Sequence, residues 1–232
     1  MAQTPGIPPN KRLRLAERIN RLSERIWLRW TDSAQIDGLW IGLWRDKETE
    51  LRRVEEALGL IKKYDRLRYK RPMHDLERIW VVPLSGAVGA FDTFTGSCKL
   101  DPRIVLAGPP ETIAALIVHE AAHARLHRSG IRYEEDERAR VEAACTRREL
   151  AFAAKLPDGE WAREQAVRYL ESCANPEHWS DASISERHLN AAVQTLRYVG
   201  FPDWLAGTAI ALRDVILGMR RFVRGLVIQR RF

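Results

Sequence analysis

Apolar residues recur at helical spacing over most of this chain. Residues 11–30 and 47–63 place apolar side chains three and four positions apart. That spacing predicts two amphipathic helices in the first third of the sequence. The same pattern predicts later helices over residues 111–129, 134–155, 160–172, 184–198 and 203–228.

Between these helical segments lies a short region of different character. Runs of β-forming residues, separated by glycine and proline, cover residues 79–82, 90–94 and 99–106, and Asp101-Pro102 interrupts the last run. Short strands with turn residues between them are typical of a small antiparallel sheet. The sequence therefore predicts an α+β fold in which a small sheet stands between groups of helices.

The order of these patterns divides the 232 residues into four regions. A proline-containing arm is expected to be flexible, and a helical region, a mixed core and a second helical region follow it. The predicted boundaries are 1–10, 11–75, 76–157 and 158–232.

The distribution of charge indicates how the two ends of the chain could contact an anionic surface. The net charge is +7, and residues 11–25 and 213–232 each hold six basic residues against two and one acidic residues, respectively. Basic ends can contact an anionic membrane surface, although solvated helix faces are the simpler interpretation. We expect no specific nucleic-acid recognition.

Cysteine use and the first residues indicate the compartment. Cys98, Cys145 and Cys173 are odd in number and widely spaced, which argues against a disulfide framework and against a cysteine zinc cluster. The first twenty residues contain no apolar run of the kind that a signal peptide needs. Together these features favour a cytoplasmic protein.

The strongest chemical signal is the segment His119-Glu120-Ala121-Ala122-His123, in the middle of the predicted helix 111–129. Residues four apart on a helix differ by about 40° in direction, so both imidazoles can reach one metal ion. Glu120 points to the side, where its carboxylate can act as a general base. The pattern predicts a zinc site formed by His119 and His123. His127 is better explained as a favourable residue at the helix end.

A third zinc ligand must come from another segment. The metzincin pattern requires glycine and histidine where this chain has Leu126 and Ser129, so that class is excluded. Glutamates of the next helix are the alternative. Glu142 is favoured because its neighbours are small or apolar, and Glu149, two turns further along, is the runner-up.

These segments resemble the gluzincin group of zinc metallopeptidases, the group of thermolysin. The stretch 117–123 resembles their metal-binding helix, and 141–144 resembles the next helix, which supplies a glutamate ligand. Residues 117–125 and 138–157 also resemble those of uncharacterised bacterial zincin-like proteins. The resemblance implies a zincin-like fold, with an edge strand above the metal that pairs with an extended peptide substrate. It also implies that Zn²⁺ is bound by His119, His123 and Glu142.

The chain departs from the thermolysin-like enzymes at two points. Thermolysin-like enzymes place an aspartate four positions after the ligand glutamate to support the first histidine, and Thr146 stands at that position here. Their oxyanion-stabilising histidine has no certain counterpart. Tyr133, His178 and His188 are candidates, although each is more simply explained as an ordinary surface residue.

The resulting hypothesis is a zinc-dependent hydrolase, a metallopeptidase that cleaves peptide bonds in a peptide or protein substrate with Glu120 as general base. The rival hypothesis is a non-catalytic zincin-like protein, in which zinc is structural or regulatory and the protein binds a partner.

Overall fold

A computed structural model describes residues 32–202 and residue 204. Within this part the chain forms an α+β fold with five strands and seven α-helices. The strands are β1 (Ser33–Ile36), β2 (Leu39–Gly42), β3 (Arg78–Val81), β4 (Gly89–Asp92) and β5 (Ser97–Leu100). The helices are α1 (Lys47–Tyr64), α2 (Arg66–Asp75), α3 (Pro102–Ala107), α4 (Pro110–Arg128), α5 (Glu135–Ala153), α6 (Glu160–Ser172) and α7 (Asp181–Val199), and a 3₁₀ turn covers Pro176–Trp179.

The sheet is larger than the sequence predicts, and its pairing differs. Its strand order is β1-β2-β3-β5-β4, with parallel pairing of β2 with β3 and of β3 with β5. Only the outer pairs, β1 with β2 and β4 with β5, are antiparallel. The prediction of a three-stranded antiparallel sheet is therefore wrong. Helices α1 and α2 connect β2 to β3, and a helical connection of this kind allows parallel pairing.

The hairpin of β1 and β2 lies in the region that the sequence pattern predicts to be helical. Its turn contains Asp37 and Gly38, both with positive φ, at 48° and 88°. An Asp-Gly pair is the preferred sequence for a two-residue hairpin turn of this kind. This dipeptide was the available signal for the two strands.

Residues 103–106, predicted as a strand, instead belong to α3, so that prediction is wrong. The Asp101 side chain accepts a hydrogen bond from the backbone N–H of Arg103, and Pro102 occupies the first turn. Aspartate at the cap followed by proline favours the start of a helix because it satisfies or removes N–H groups that lack partners there. The predicted helices 11–30 and 203–228 lie outside the described residues, apart from residue 204.

Helix α4 lies at the centre of the fold. It packs against α1, α2, α5 and strand β4. Ile113, Ala114 and Ile117 are fully buried, in the same core as Ile79 of β3 and Leu100 of β5. The predicted helix at 111–129 is thereby confirmed to within a residue at each end, and Gly130 follows it with φ of 79°. A helix with core contacts on several sides holds its polar side chains in fixed positions.

In the described residues, no helix is long and apolar enough to cross a membrane. The three cysteines are free thiols, of which Cys98 and Cys145 are buried.

Candidate metal centre

Two neighbouring helices bring three potential metal ligands together. His119 and His123 lie one turn apart on α4, and Glu142 reaches them from α5. The Nε2 atoms of the two histidines are 3.1 Å apart. Glu142 Oε2 lies 3.3 Å from Nε2 of His119, and Oε1 lies 3.5 Å from Nε2 of His123. The three side chains thus direct their donor atoms to one point.

These distances suit a small divalent ion. Bonds of about 2.0–2.2 Å at tetrahedral angles place ligand atoms roughly 3.3–3.6 Å apart. The separations of 3.1 Å between the two histidines and of 3.3 and 3.5 Å from them to the two oxygens of Glu142 lie close to that range. Two imidazoles and one carboxylate also form a donor set suited to zinc. The residues therefore fit such an ion in both chemistry and spacing.

Glu149, the runner-up ligand, occupies a different position. Its Oε2 lies 2.9 Å from Nδ1 of His119, on the side of the ring away from His123 and Glu142. When Nδ1–H donates to this carboxylate, Nε2 keeps its lone pair directed at the cluster. Glu149 therefore supports His119 in the way expected of an aspartate at position 146. Thr146 is buried and donates its hydroxyl proton to the carbonyl oxygen of Glu142.

The charges of the cluster are mutually dependent. Burial disfavours a charged His119, but hydrogen bonds to Glu142 and Glu149 outweigh it, so the pKa of His119 is raised well above its usual value. Burial also raises the pKa of Glu142, yet hydrogen bonds to the two histidines outweigh it, and the net shift is downward. Glu142 is therefore an anion with cationic or polar partners on every side.

Glu120 differs from the other acids of the cluster. It is only 3% exposed, and it forms no hydrogen bond or ion pair with any described residue. Burial raises its pKa, although His119 and His123 oppose the shift. A buried carboxyl group with a raised pKa and no partner is available to accept a proton from a bound molecule.

The edge strand β4 lies directly beside Glu120. A Cβ atom at Gly89 would lie 2.9 Å from Oε1 of Glu120 and 2.8 Å from Cδ1 of Leu116. Glycine therefore permits the close approach of strand and helix. No other described strand pairs with the outer side of β4.

The cluster opens into a cleft with a volume of about 360 Å³. Strand β4, the loop before it, the 3₁₀ turn and α7 all line this cleft. Its lining residues beyond the cluster include Phe91, His127, Tyr133, Arg138, Tyr169, His178, Trp179, Arg187 and His188.

Two tyrosines hold the carboxylate of Glu142. Tyr133 donates a hydrogen bond to Oε1, and Tyr169 of α6 donates one of 3.2 Å to Oε2. Burial, followed by the charge of Glu142, raises the pKa of both hydroxyls, so both stay protonated. Tyr133 was one of the oxyanion candidates from sequence. Tyr169 was missed, because it lies 27 residues from Glu142 and its helix has no motif.

The other predicted residues line the cleft at a distance from the cluster. The pKa of His178 is lowered by burial and by Arg187, whose Nη1 lies 3.4 Å from Nδ1 of His178. His188 is exposed beside Gly86. His127 is exposed near the end of α4, and its ring lies 5.9 Å from that of Phe91.

Comparisons with protein-family models, with curated proteins and with solved structures found no match to this chain.

Proposed function

We propose that this protein is a zinc-dependent hydrolase that cleaves peptide bonds. The observation that carries the proposal is the convergence of His119, His123 and Glu142 beside Glu120, a buried carboxyl group without a partner. A zinc ion held by the three ligands would lower the pKa of water bound to it toward 7 and would polarise a substrate carbonyl. We propose zinc, rather than another divalent metal, because of the two imidazole donors and the resemblance to gluzincins.

In this proposal each side chain has a separate task. Glu120 accepts the proton of the attacking water and passes it to the leaving amine, for which its raised pKa is suited. Glu149 fixes the tautomer and direction of His119. Tyr133 and Tyr169, whose hydroxyls stay protonated, donate to Glu142 and hold its carboxylate toward the two histidines.

We propose peptides as the substrate class because the outer edge of strand β4 lies beside Glu120 in the cleft. The outer side of β4, which pairs with no strand among the described residues, offers backbone N–H and C=O groups next to Glu120. An extended peptide can pair with such an edge as an added strand, which places its carbonyl groups along the metal cluster. This arrangement supports the expected zincin-like fold, in which the same edge receives the substrate.

Substitution of Glu120 by glutamine tests the proposal. The variant should keep about one zinc per chain, while hydrolysis of a mixed peptide library should fall by about 10²–10⁴-fold. Elemental analysis measures the metal, and mass spectrometry measures the cleavage products. Glu111→Gln, the same change in the first turn of the same helix, is the matched control and should leave both unchanged.

Equal cleavage by Glu120→Gln and by the native protein would show that Glu120 is not the general base. Zinc with a fourth protein ligand and no cleavage in either protein would instead favour the non-catalytic alternative, in which the metal is structural or regulatory.

A further inference from the structure

A second cluster of charged residues lies on a different face of α4. Val118, Ala121 and Ala122 line a small pocket that α2 and α5 complete. Four arginines also line it: Arg68, Arg71, Arg125 and Arg148. We call them the arginine cluster. The cleft uses other residues of α4, from His119 to His127, so the two sites are separate.

Two carboxylates lie beside this cluster, and both already have cationic partners. Asp65 pairs with Arg68 and, at 2.7 Å, with Lys155. Asp75 lies 3.2 Å from Arg128 and 3.8 Å from Arg125. The positive charge around the pocket therefore exceeds the negative charge supplied by these two acids.

Arg71 and Arg148 have no such partner. Neither forms a hydrogen bond or ion pair with any residue of the described part of the chain, and both are only partly exposed. Burial lowers the pKa of Arg71, and the nearby charges of Arg125, Arg148 and Arg68 lower it further, whereas the charge of Asp65 opposes the shift. Nε of Arg68 is buried and also lacks a hydrogen-bond acceptor. Like charges and one buried donor without an acceptor thus meet in one place, and a bound anion would relieve both.

The geometry points to a compact oxyanion as the ligand of the arginine cluster: we propose that it binds the phosphate group of inorganic phosphate or of a small phosphomonoester. Guanidinium groups present paired N–H donors that match phosphate oxygens. The pocket has a volume of only about 20 Å³, so it admits a group the size of one phosphate oxygen but not a base or a peptide segment. Its alanines leave space but offer no competing polar groups.

Binding there would connect three helices. Arg68 and Arg71 belong to α2, Arg125 to α4 and Arg148 to α5. A phosphate shared by them would stabilise the packing of these helices in the folded state. The proposal does not depend on the metal site or on hydrolysis.

The test compares thermal unfolding of the full chain in phosphate and in sodium chloride of equal ionic strength. At phosphate about tenfold above its Kd, the melting temperature of the native protein should rise by about 3–6 °C. Arg71→Gln/Arg148→Gln should lose most of that rise. Without phosphate it should melt no lower than the native protein, because the substitution removes repulsion between like charges.

The control is Arg132→Gln/Arg140→Gln, which removes the same charge from side chains that are 80% and 83% exposed. It should respond to phosphate as the native protein does. Equal rises in all three proteins would show a general salt effect and overturn the proposal. Arg71→Lys, which keeps the charge but loses the paired donors, provides a milder variant and should bind phosphate more weakly.

Equilibrium dialysis with radiolabelled phosphate gives an independent measurement. About one phosphate per chain should bind to the native and control proteins, and at least tenfold less tightly to Arg71→Gln/Arg148→Gln. Tighter competition by glycerol phosphate than by inorganic phosphate would identify a phosphomonoester as the ligand, and equal or weaker competition would identify free phosphate. Absence of binding to the native protein, or competition only by long oligonucleotides, would contradict the proposal.

Discussion

The metal cluster and the arginine cluster, which lie on different faces of α4, differ in how their charges are balanced. On the cleft face, imidazoles and carboxylates alternate, and His119 contacts both Glu142 and Glu149. On the pocket face, arginines approach one another, and Arg71 and Arg148 form no hydrogen bond or ion pair with an acidic residue in the described part of the chain. One helix therefore contributes to a mixed cluster of donors and acceptors on one face and to a cluster with an excess of cations on another.

This contrast indicates what each face can bind. Imidazoles, which bind a metal in their neutral form, and a carboxylate suit a small cation, whereas unpaired guanidinium groups suit an anion. The alanines of the motif serve the second face, since Ala121 and Ala122 line the pocket. Substitutions that alter one face at a time show whether the other face responds.

The largest effect is expected for His123→Ala. Removal of one of three ligands should abolish stoichiometric zinc binding and, with it, hydrolysis, because two ligands hold the ion too weakly. Elemental analysis after dialysis against trace zinc measures the loss. The phosphate response of the arginine cluster should persist.

His127→Ala is the matched control, since His127 lies one turn further along the same helix and is exposed. It should retain zinc. If the two variants lose zinc equally, His123 is not a specific ligand.

A smaller effect is expected for Glu149→Gln. If Glu149 supports His119 without binding the metal, zinc affinity should fall by about 10–100-fold, which is typical of a lost partner of a ligand. Competition with a fluorescent zinc chelator measures the affinity. Glu142→Gln should lose far more.

An equal loss of affinity in Glu149→Gln and Glu142→Gln would restore Glu149 as a ligand. Unchanged zinc affinity in Glu149→Gln would show that Glu149 has no role in metal binding.

The smallest effect concerns Asp65, beside the arginine cluster. Burial raises the pKa of Asp65, but hydrogen bonds from Lys155 and Arg68 and the charge of Arg68 outweigh it, so the pKa is lowered. Because the folded pKa lies below the unfolded value near 3.9, the ionised carboxylate stabilises the fold fully above about pH 4–5, and this contribution disappears as pH falls through the folded pKa.

Asp65→Asn should therefore lower the free energy of unfolding by about 1–3 kcal/mol at pH 7 and by less near pH 3. Urea titrations at both pH values measure the difference. The same loss at pH 3 as at pH 7 would show that the carboxylate charge is not the cause. Zinc content should not change.

Sequence reasoning worked best where the pattern was local. Helices α1 and α4 to α7 follow from spacing and end signals such as Gly130, to within a few residues. It was wrong at residues 103–106, where the cap formed by Asp101 and Pro102 outweighed a run of β-branched and apolar residues. Helix α2 was missed because Pro72 and five charged residues hide its apolar positions.

For the candidate site, what the sequence predicts and what the tertiary structure adds are more clearly separated. Spacing alone indicated His119, Glu120 and His123, since one helix turn fixes their relation. The approach of Glu142 to them, the place of Glu149 at Nδ1 of His119 and the contact of Tyr169 with Glu142 each depend on how separate helices pack.

The sequence by itself determined the helix that carries the motif and the types of donor on it, because local spacing and side-chain chemistry are properties of a single segment. Only the tertiary structure decided which glutamate faces the histidines and which supports them, and that arginines from three helices meet around one pocket. The rotation and separation of packed helices set those contacts, and they depend on the whole core rather than on any one segment.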